Sequence, residues 1–435
     1  MPLAFYFNNY LKFLFPFTEV AMTERKKVFL VPQYFRKFRC IGSDCEDSCC
    51  VGWTVNIDKE TYKKYRSTQN KELRPLLDKY VTRDRSNDAG PENYAKIKML
   101  DKEAKCPFLS DKMLCRIQLE YGEGYLSKVC TTYPRSGHKV DNAIEMVTSM
   151  SCSAAAKLAL LNPEIMEFDE YEDIPNPNLI GSCAFNTQDK QFINQPQRYF
   201  WDIRVFTIDI LQNRKYFMWE RLIILGLFME KLNEYVHENR ISDIPDIIQA
   251  YNNMIEAGTF KGALDTVPAD CTVQLQLIKD IIDIRVNRGV LNKIYLECYG
   301  EFLKGINYSE EATKEEIIIN YERAFEDYYK PYMDNHEYIL ENYLVNYVFA
   351  KLFPFSDGEI FDAYMMLILH YAIIKVHLIG MAGYNKGLNE DIVIKLISTF
   401  TKVVDHNIVF LKDIAKQLKK KNYNTLAYMT IMIKN

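Results

Sequence analysis

The chain has no surplus of positive charge. Lys and Arg number 54 against 58 Asp and Glu, a net charge of −4 with an isoelectric point near 6.0. The basic face of a general nucleic-acid binder is therefore missing, and no nucleic-acid partner is expected. It has no C-x-x-C pair, the usual mark of thiol–disulfide exchange. It also has no G-x-G-x-x-G loop after a strand; the nearest approach, Gly122-Glu-Gly124, lies in an acidic, turn-like stretch, so a Rossmann-type nucleotide fold is not expected. A secretory signal is missing as well: residues 1–25 carry Phe and Leu without a preceding basic segment, and the expectation is a cytoplasmic protein whose thiols stay reduced unless they hold metal. No clean membrane span is present. Residues 363–383 are apolar enough, but His370, Lys375 and His377 interrupt them, and a central Lys alone costs about 2.5–3.5 kcal/mol on insertion. A buried bundle helix is expected there, with no membrane partner.

What is present is an ordinary globular balance of 48% apolar and 26% charged residues in 435 positions, enough for two or three folded units. Residues 28–182 carry mixed signals. Residues 26–32 read as an extended run ending at Pro32, and 53–58 alternate as a short strand. Residues 62–80 read as a helix broken near Pro75, and 144–161 as another helix. The stretch 172–182, with Pro175, Pro177 and Gly181, reads as a linker. Beyond it the pattern is helical: Leu222, Leu225, Met229, Leu232 and Val236 form one stripe. Residues 273–290, 315–329, 337–353, 361–380 and 391–418 behave alike. The expected fold is mainly α. An N-terminal extension (1–27) precedes a cysteine-rich, metal-binding α+β domain (28–182) and an all-α domain (183–435) suited to substrate recognition.

The cysteines are the sharpest signal. Of eleven, Cys40, Cys45, Cys49, Cys50, Cys106, Cys115, Cys130 and Cys152 crowd into one region, while Cys183, Cys271 and Cys298 are scattered. An odd total without an export signal argues against a disulfide framework. Thiolates suit Zn²⁺ or iron–sulfur centres because soft sulfur matches soft or borderline metals. Cys40, Cys45, Cys49, Cys50, Cys106, Cys115 and Cys130 are the candidate ligands, more than one four-ligand site needs. Inert buried thiols are the alternative.

The string FRCIGSDCEDSCCVGWTVNID at 38–58 closely resembles the opening signature of flagellin lysine-N-methylases. CPFL at 106–109, LCRIQLEYGE at 114–123 and LSKVCTTYPR at 126–135 continue the match, and ILQNR (210–214), ERLIILG (220–226) and YLVNY (343–347) carry it into the helical half. The same cysteines resemble a wider family of zinc- or iron-chelating domains with a C-x-x-C-x-x-C-C motif, here with longer gaps before Cys45 and Cys49. The resemblance implies methyl transfer from S-adenosylmethionine to lysine ε-amines of flagellin, with a [4Fe–4S] cluster involved and zinc as the alternative metal. The radical-enzyme spacing C-x3-C-x2-C is absent, since Cys49 is followed directly by Cys50.

Methylating lysine requires a neutral amine, hence a base or a desolvating aromatic pocket. Within the matched strings Tyr133, Glu120 and Asp58 are the candidate proton-handling groups, and Arg135 and Tyr121 the candidates for holding S-adenosylmethionine. Each has a structural alternative, hydrogen bonding beside metal ligands. Trp53 reads as core packing, and His370 and His377 as packing histidines. A non-catalytic zinc protein that binds partners is the rival class.

Overall fold

A computed structural model describes residues 26–435 apart from 54, 87–88, 101–103, 174–178, 291 and 356–357. All but the last two residues of the N-terminal extension lie outside the described residues. The expected extended run forms β1 (Lys27–Pro32), in which Phe29 and Val31 point inward and are buried. The expected strand at 53–58 shrinks to β2 (Asn56–Ile57), which pairs with β4 (Ala95–Ile97), itself paired with β3 (Val81–Arg83). The helix expected over 62–80 is two: α1 (Lys59–Ser67) and α2 (Leu73–Tyr80). The break precedes Pro75, which sits in the first turn of α2, where its missing N–H costs nothing.

Two short helices follow, α3 (Arg116–Tyr121) and α4 (Lys128–Thr132). The chain then forms a hairpin of β5 (Arg135–Val140) and β6 (Ala143–Thr148), and α5 (Ser153–Leu160). The helix expected over 144–161 is thus half wrong. Its first five residues are a strand whose Glu145 is buried, and the helix starts only after Cys152. Strands β7 (Phe168–Asp173) and β8 (Ile180–Phe185) complete a five-stranded sheet in the order β7-β1-β6-β5-β8, with β1/β6 and β5/β8 parallel. The stretch read as a linker therefore joins the two edges of one sheet. Its centre, 174–178, lies outside the described residues, and position 182 falls inside β8.

The C-terminal half is helical as expected: α6 (Phe200–Leu211), α7 (Met218–His237), α8 (Ile244–Glu256), α9 (Lys261–Asp265), α10 (Cys271–Asn287), α11 (Lys293–Gly305), α12 (Lys314–Ala324), α13 (Lys330–Met333), α14 (Tyr338–Ala350), α15 (Ile360–Asn385), α16 (Glu390–Phe400), α17 (Ile408–Lys420) and α18 (Leu426–Ile433). Helix α15 is long and apolar enough to cross a membrane, yet its apolar stretch is wholly buried inside the bundle. It approaches α11 closely: a Cβ on Gly380 would lie 2.7 Å from the Phe302 carbonyl oxygen, so only hydrogen fits there. The helix expected over 391–418 is interrupted by a π turn at Thr401–Asp405. Such turns push a residue out of the regular ladder and recur at functional sites.

The main core runs through both halves. Tyr34, Met150, Ala156 and Leu160 belong to the same buried cluster as Ile203, Leu222, Leu344 and Ile368. Arg204 of α6 donates to Glu145 of β6 at 2.8 Å, with both side chains almost wholly buried, and the guanidinium lies over Phe200, Trp201 and Phe349. A second, smaller cluster of Ile57, Tyr65, Leu77, Ile97, Cys106, Phe108 and Ile117 lies under the short sheet.

Candidate functional site

A cavity of about 460 Å³ opens where the hairpin meets the helical bundle, within the usual range for small-ligand sites. One wall is α14, whose Tyr343, Tyr347 and the following Lys351 recur every fourth residue and so share a face. Trp53, Tyr133 and Arg135 also line it, and Asp405, the last residue of the π turn, and His406 just after it complete the lining. The Trp53 ring lies 5.2 Å from Tyr133 and 6.2 Å from His406. Lys351 Nζ pairs with Asp405 Oδ1 at 2.8 Å, and His370 Nε2 is 3.6 Å from the same oxygen. Burial works against ionising Asp405, but Lys351, His370 and His406 outweigh it and pull the carboxyl far below its ordinary range. Tyr133 is the reverse case: burial, reinforced by Cys152, holds the phenol well above its ordinary value. It is neutral at physiological pH.

The thiols gather next to this cavity. The Cys106 amide donates to the Cys50 carbonyl at 2.8 Å, and Val51 bridges Lys105, so the first cysteine string lies against the second. Burial, helped by negative charge at Cys130, Cys115 and Cys49, pushes the Cys106 thiol up to about 12. A hydrogen bond from Cys50 lowers Cys49 to about 7, against burial and with help from Lys402. The structure thus brings Cys49, Cys50, Cys106, Cys115 and Cys130 within reach of one another's charge. Cys45 is set aside with Cys152, its Sγ 3.6 Å from Ser153 Oγ, and Cys40 is exposed. Among the described residues no three metal-ligating side chains converge on one point. In chemistry the donor set fits a thiolate-held metal: five soft donors, of which Cys106 is buried and Cys50 and Cys115 pack on the small apolar cluster.

Trp53 packs against the small apolar cluster, as expected, and it does more than that. Its indole N–H donates to the Cys49 carbonyl while its ring lines the cavity, joining thiols to pocket. A second link comes from the helical half. Lys402 Nζ pairs with Asp47 Oδ2 at 2.7 Å and donates to the Asp47 and Ser48 carbonyls at 3.2 and 3.3 Å.

Of the five candidate catalytic and cofactor residues, the cavity brings together only Tyr133 and Arg135, and Arg135 also lies over the Phe38 ring. Asp58 caps α1, accepting from the Thr61 amide and hydroxyl and the Lys128 amide; its carboxylate is committed to the backbone. Glu120 is exposed on α3, 3.5 Å from Asn70 Nδ2. The Tyr121 hydroxyl accepts from Thr68 at 2.8 Å and its ring stacks on Tyr125. Sequence reasoning missed Lys351, Asp405, His406, Tyr343 and Tyr347. Only the four-residue spacing on α14 hinted at a shared face, and YLVNY was noted for its resemblance rather than for that face. His370 Nδ1–H donates to the Met366 carbonyl and its Nε2 reaches Asp405, whereas His377 is buried against Tyr295, where burial lowers it to about 4.

Residues 204–432 match the model of the FliB lysine N-methylase C-terminal domain. A lysine-N-methylase of Salmonella typhimurium is 22% identical over 410 residues, covering 92% of this chain and 96% of that protein. The flagellar biosynthetic protein FliU of Salmonella muenchen is 28% identical over 162 residues, 37% of this chain and 90% of that protein. No solved structure matches. With over half of the chain inside the family model, and the cysteine strings of the N-terminal half pointing the same way, the chain belongs to the FliB lysine N-methylase family.

Proposed function

We propose that this protein transfers methyl groups from S-adenosylmethionine to lysine ε-amines of flagellin, and that its N-terminal thiols hold a [4Fe–4S] cluster. The observation that carries the reading is the aromatic cavity between hairpin and bundle, tied through Trp53 to the Cys49 carbonyl. Tyr133, Tyr343, Tyr347 and Trp53 supply apolar faces that disfavour an ammonium unless it is paired, which favours the neutral amine needed for attack. Arg135 is the cation suited to the carboxylate of S-adenosylmethionine. Asp405, kept ionised, and Lys351 neutralise each other and fix the floor. Four of the thiols Cys49, Cys50, Cys106, Cys115 and Cys130 would hold the cluster, one thiolate to each iron, and the bound cluster would fix the loop that places Trp53 in the cavity.

The experiment is anaerobic purification, quantification of iron, sulfide and zinc, and then incubation with flagellin and methyl-labelled S-adenosylmethionine. Labelled lysine and about four iron per chain are expected. Zinc without transfer would mean a binding module instead.

A further inference from the structure

A hydrogen-bonded path joins two residues of the cavity lining, Tyr133 and His406, through buried Ser151, and the methyl transfer just described leaves it unused. Tyr133 Oη lies 3.1 Å from Ser151 Oγ. Ser151 Oγ lies 3.1 Å from His406 Nε2 and 2.8 Å from Ser149 Oγ, and Ser149 Oγ is itself 3.1 Å from His406 Nε2. Tyr133 is half-buried in the cavity lining and His406, also in the lining, is the more exposed of the two, so the path leads outward. We propose that Tyr133, Ser151 and His406 form a relay that removes a proton from the substrate ammonium and delivers it to solvent.

The inference rests on the lysine-methylation reading, and the balance requires such an outlet. A lysine ammonium and a sulfonium yield a methylated ammonium and a thioether, so each transfer releases one proton. The ammonium gives its proton to Tyr133 Oη as the phenol passes its own to Ser151 Oγ, and Ser151 passes its own to His406 Nε2. The free amine then attacks the methyl carbon; the N–C bond forms, and the C–S pair stays on sulfur. The imidazolium returns its proton to water at the mouth. A neutral phenol suits this role because it accepts and donates at one atom without being stranded as an anion in an apolar wall. The charged groups facing His406 are Asp405 beside it, Lys351 on α14 and Lys402 one turn earlier. Desolvation by the packed protein is the largest influence and disfavours the imidazolium, Asp405 favours it, and the two lysines oppose it. Tyr133 would be the group touching substrate; Ser151 and His406 act through it.

The test measures flagellin methylation by the full-length protein from pH 6.5 to 10 in the wild type, His406→Gln and Ser151→Ala. At pH 7 both variants should lose about 100-fold in kcat, with KM for flagellin unchanged. The deficit should narrow toward pH 10, where a lysine of ordinary pKa, about 10.4, reaches the site partly neutral by itself. Added imidazole should partly restore His406→Gln. A deficit equal at pH 7 and 10 in both variants, or none in either, overturns the relay while leaving methyl transfer standing. An inactive wild type overturns both.

Discussion

Lys402 ties the helical half to the cysteine loop by an ion pair and two hydrogen bonds, and removing it makes a quantitative test. Its ammonium and the Asp47 carboxylate are each 8% exposed, and the same nitrogen also serves two loop carbonyls. Replacing Lys402 with Met keeps the apolar stem but strands a buried carboxylate. Breaking such a pair from one side costs about 3–5 kcal/mol. If the loop relieves this by opening, about 3 kcal/mol raises the open population by roughly two decades, at 1.36 kcal/mol per decade. Cys50 lies three residues past Asp47 and is half-buried, so its alkylation should accelerate about 100-fold where reclosing outpaces labelling. The assay is timed iodoacetamide labelling read by peptide mass spectrometry, with buried Cys298 of α11 as internal reference. Metal content and methylation should fall together, and Lys402→Met with Asp47→Leu should recover part of the loss. Labelling of Cys50 within threefold of wild type would refute the latch.

The other predictions concern metal, packing and pH. Ser in place of Cys49, Cys50, Cys106 or Cys115 should abolish bound metal and methylation together, because a hydroxyl is a poor substitute for thiolate, whereas Cys298→Ser should retain both; metal analysis of each variant decides. Glu145→Gln leaves Arg204 charged in an almost wholly buried site and should destabilise by about 3–5 kcal/mol in urea titration, while a matched apolar pair at 145 and 204 should not. Burial lowers Lys375 to about 7. Between that value and about 10.4 the unfolded chain binds the proton and the folded one does not, so stability should rise with pH across this window. The rise should be absent in Lys375→Met; equal slopes in the two proteins would contradict the assignment.

The linear chain determined the helical half by itself and showed where the thiols crowd. The stripe of Leu222, Leu225, Met229 and Leu232 follows the 3.6-residue period, and that period survives folding because one face must be buried wherever the helix packs. The cysteine strings were legible because their soft donors lie close in sequence, in a chain otherwise poor in thiols. Asp58 misled for a related reason: a carboxylate beside a helix start looks the same in sequence whether it caps the helix or serves a site. The strand at 144–148 was hidden because its buried Glu145 breaks the apolar alternation, and only Arg204, 59 residues away, makes that burial tolerable. The site itself was decided in three dimensions. Tyr133 and His406 meet through Ser151 across 255 positions between Ser151 and His406, and Lys402 reaches Asp47 across 355 between its nitrogen and the loop carbonyl. Residues 391–418 read as one continuous helix, yet the π turn at Thr401–Asp405 is what turns Asp405 and His406 into the cavity. Local periodicity records which face is buried; it carries no term for a partner hundreds of residues away, and that partner is what converts a helix defect into a site.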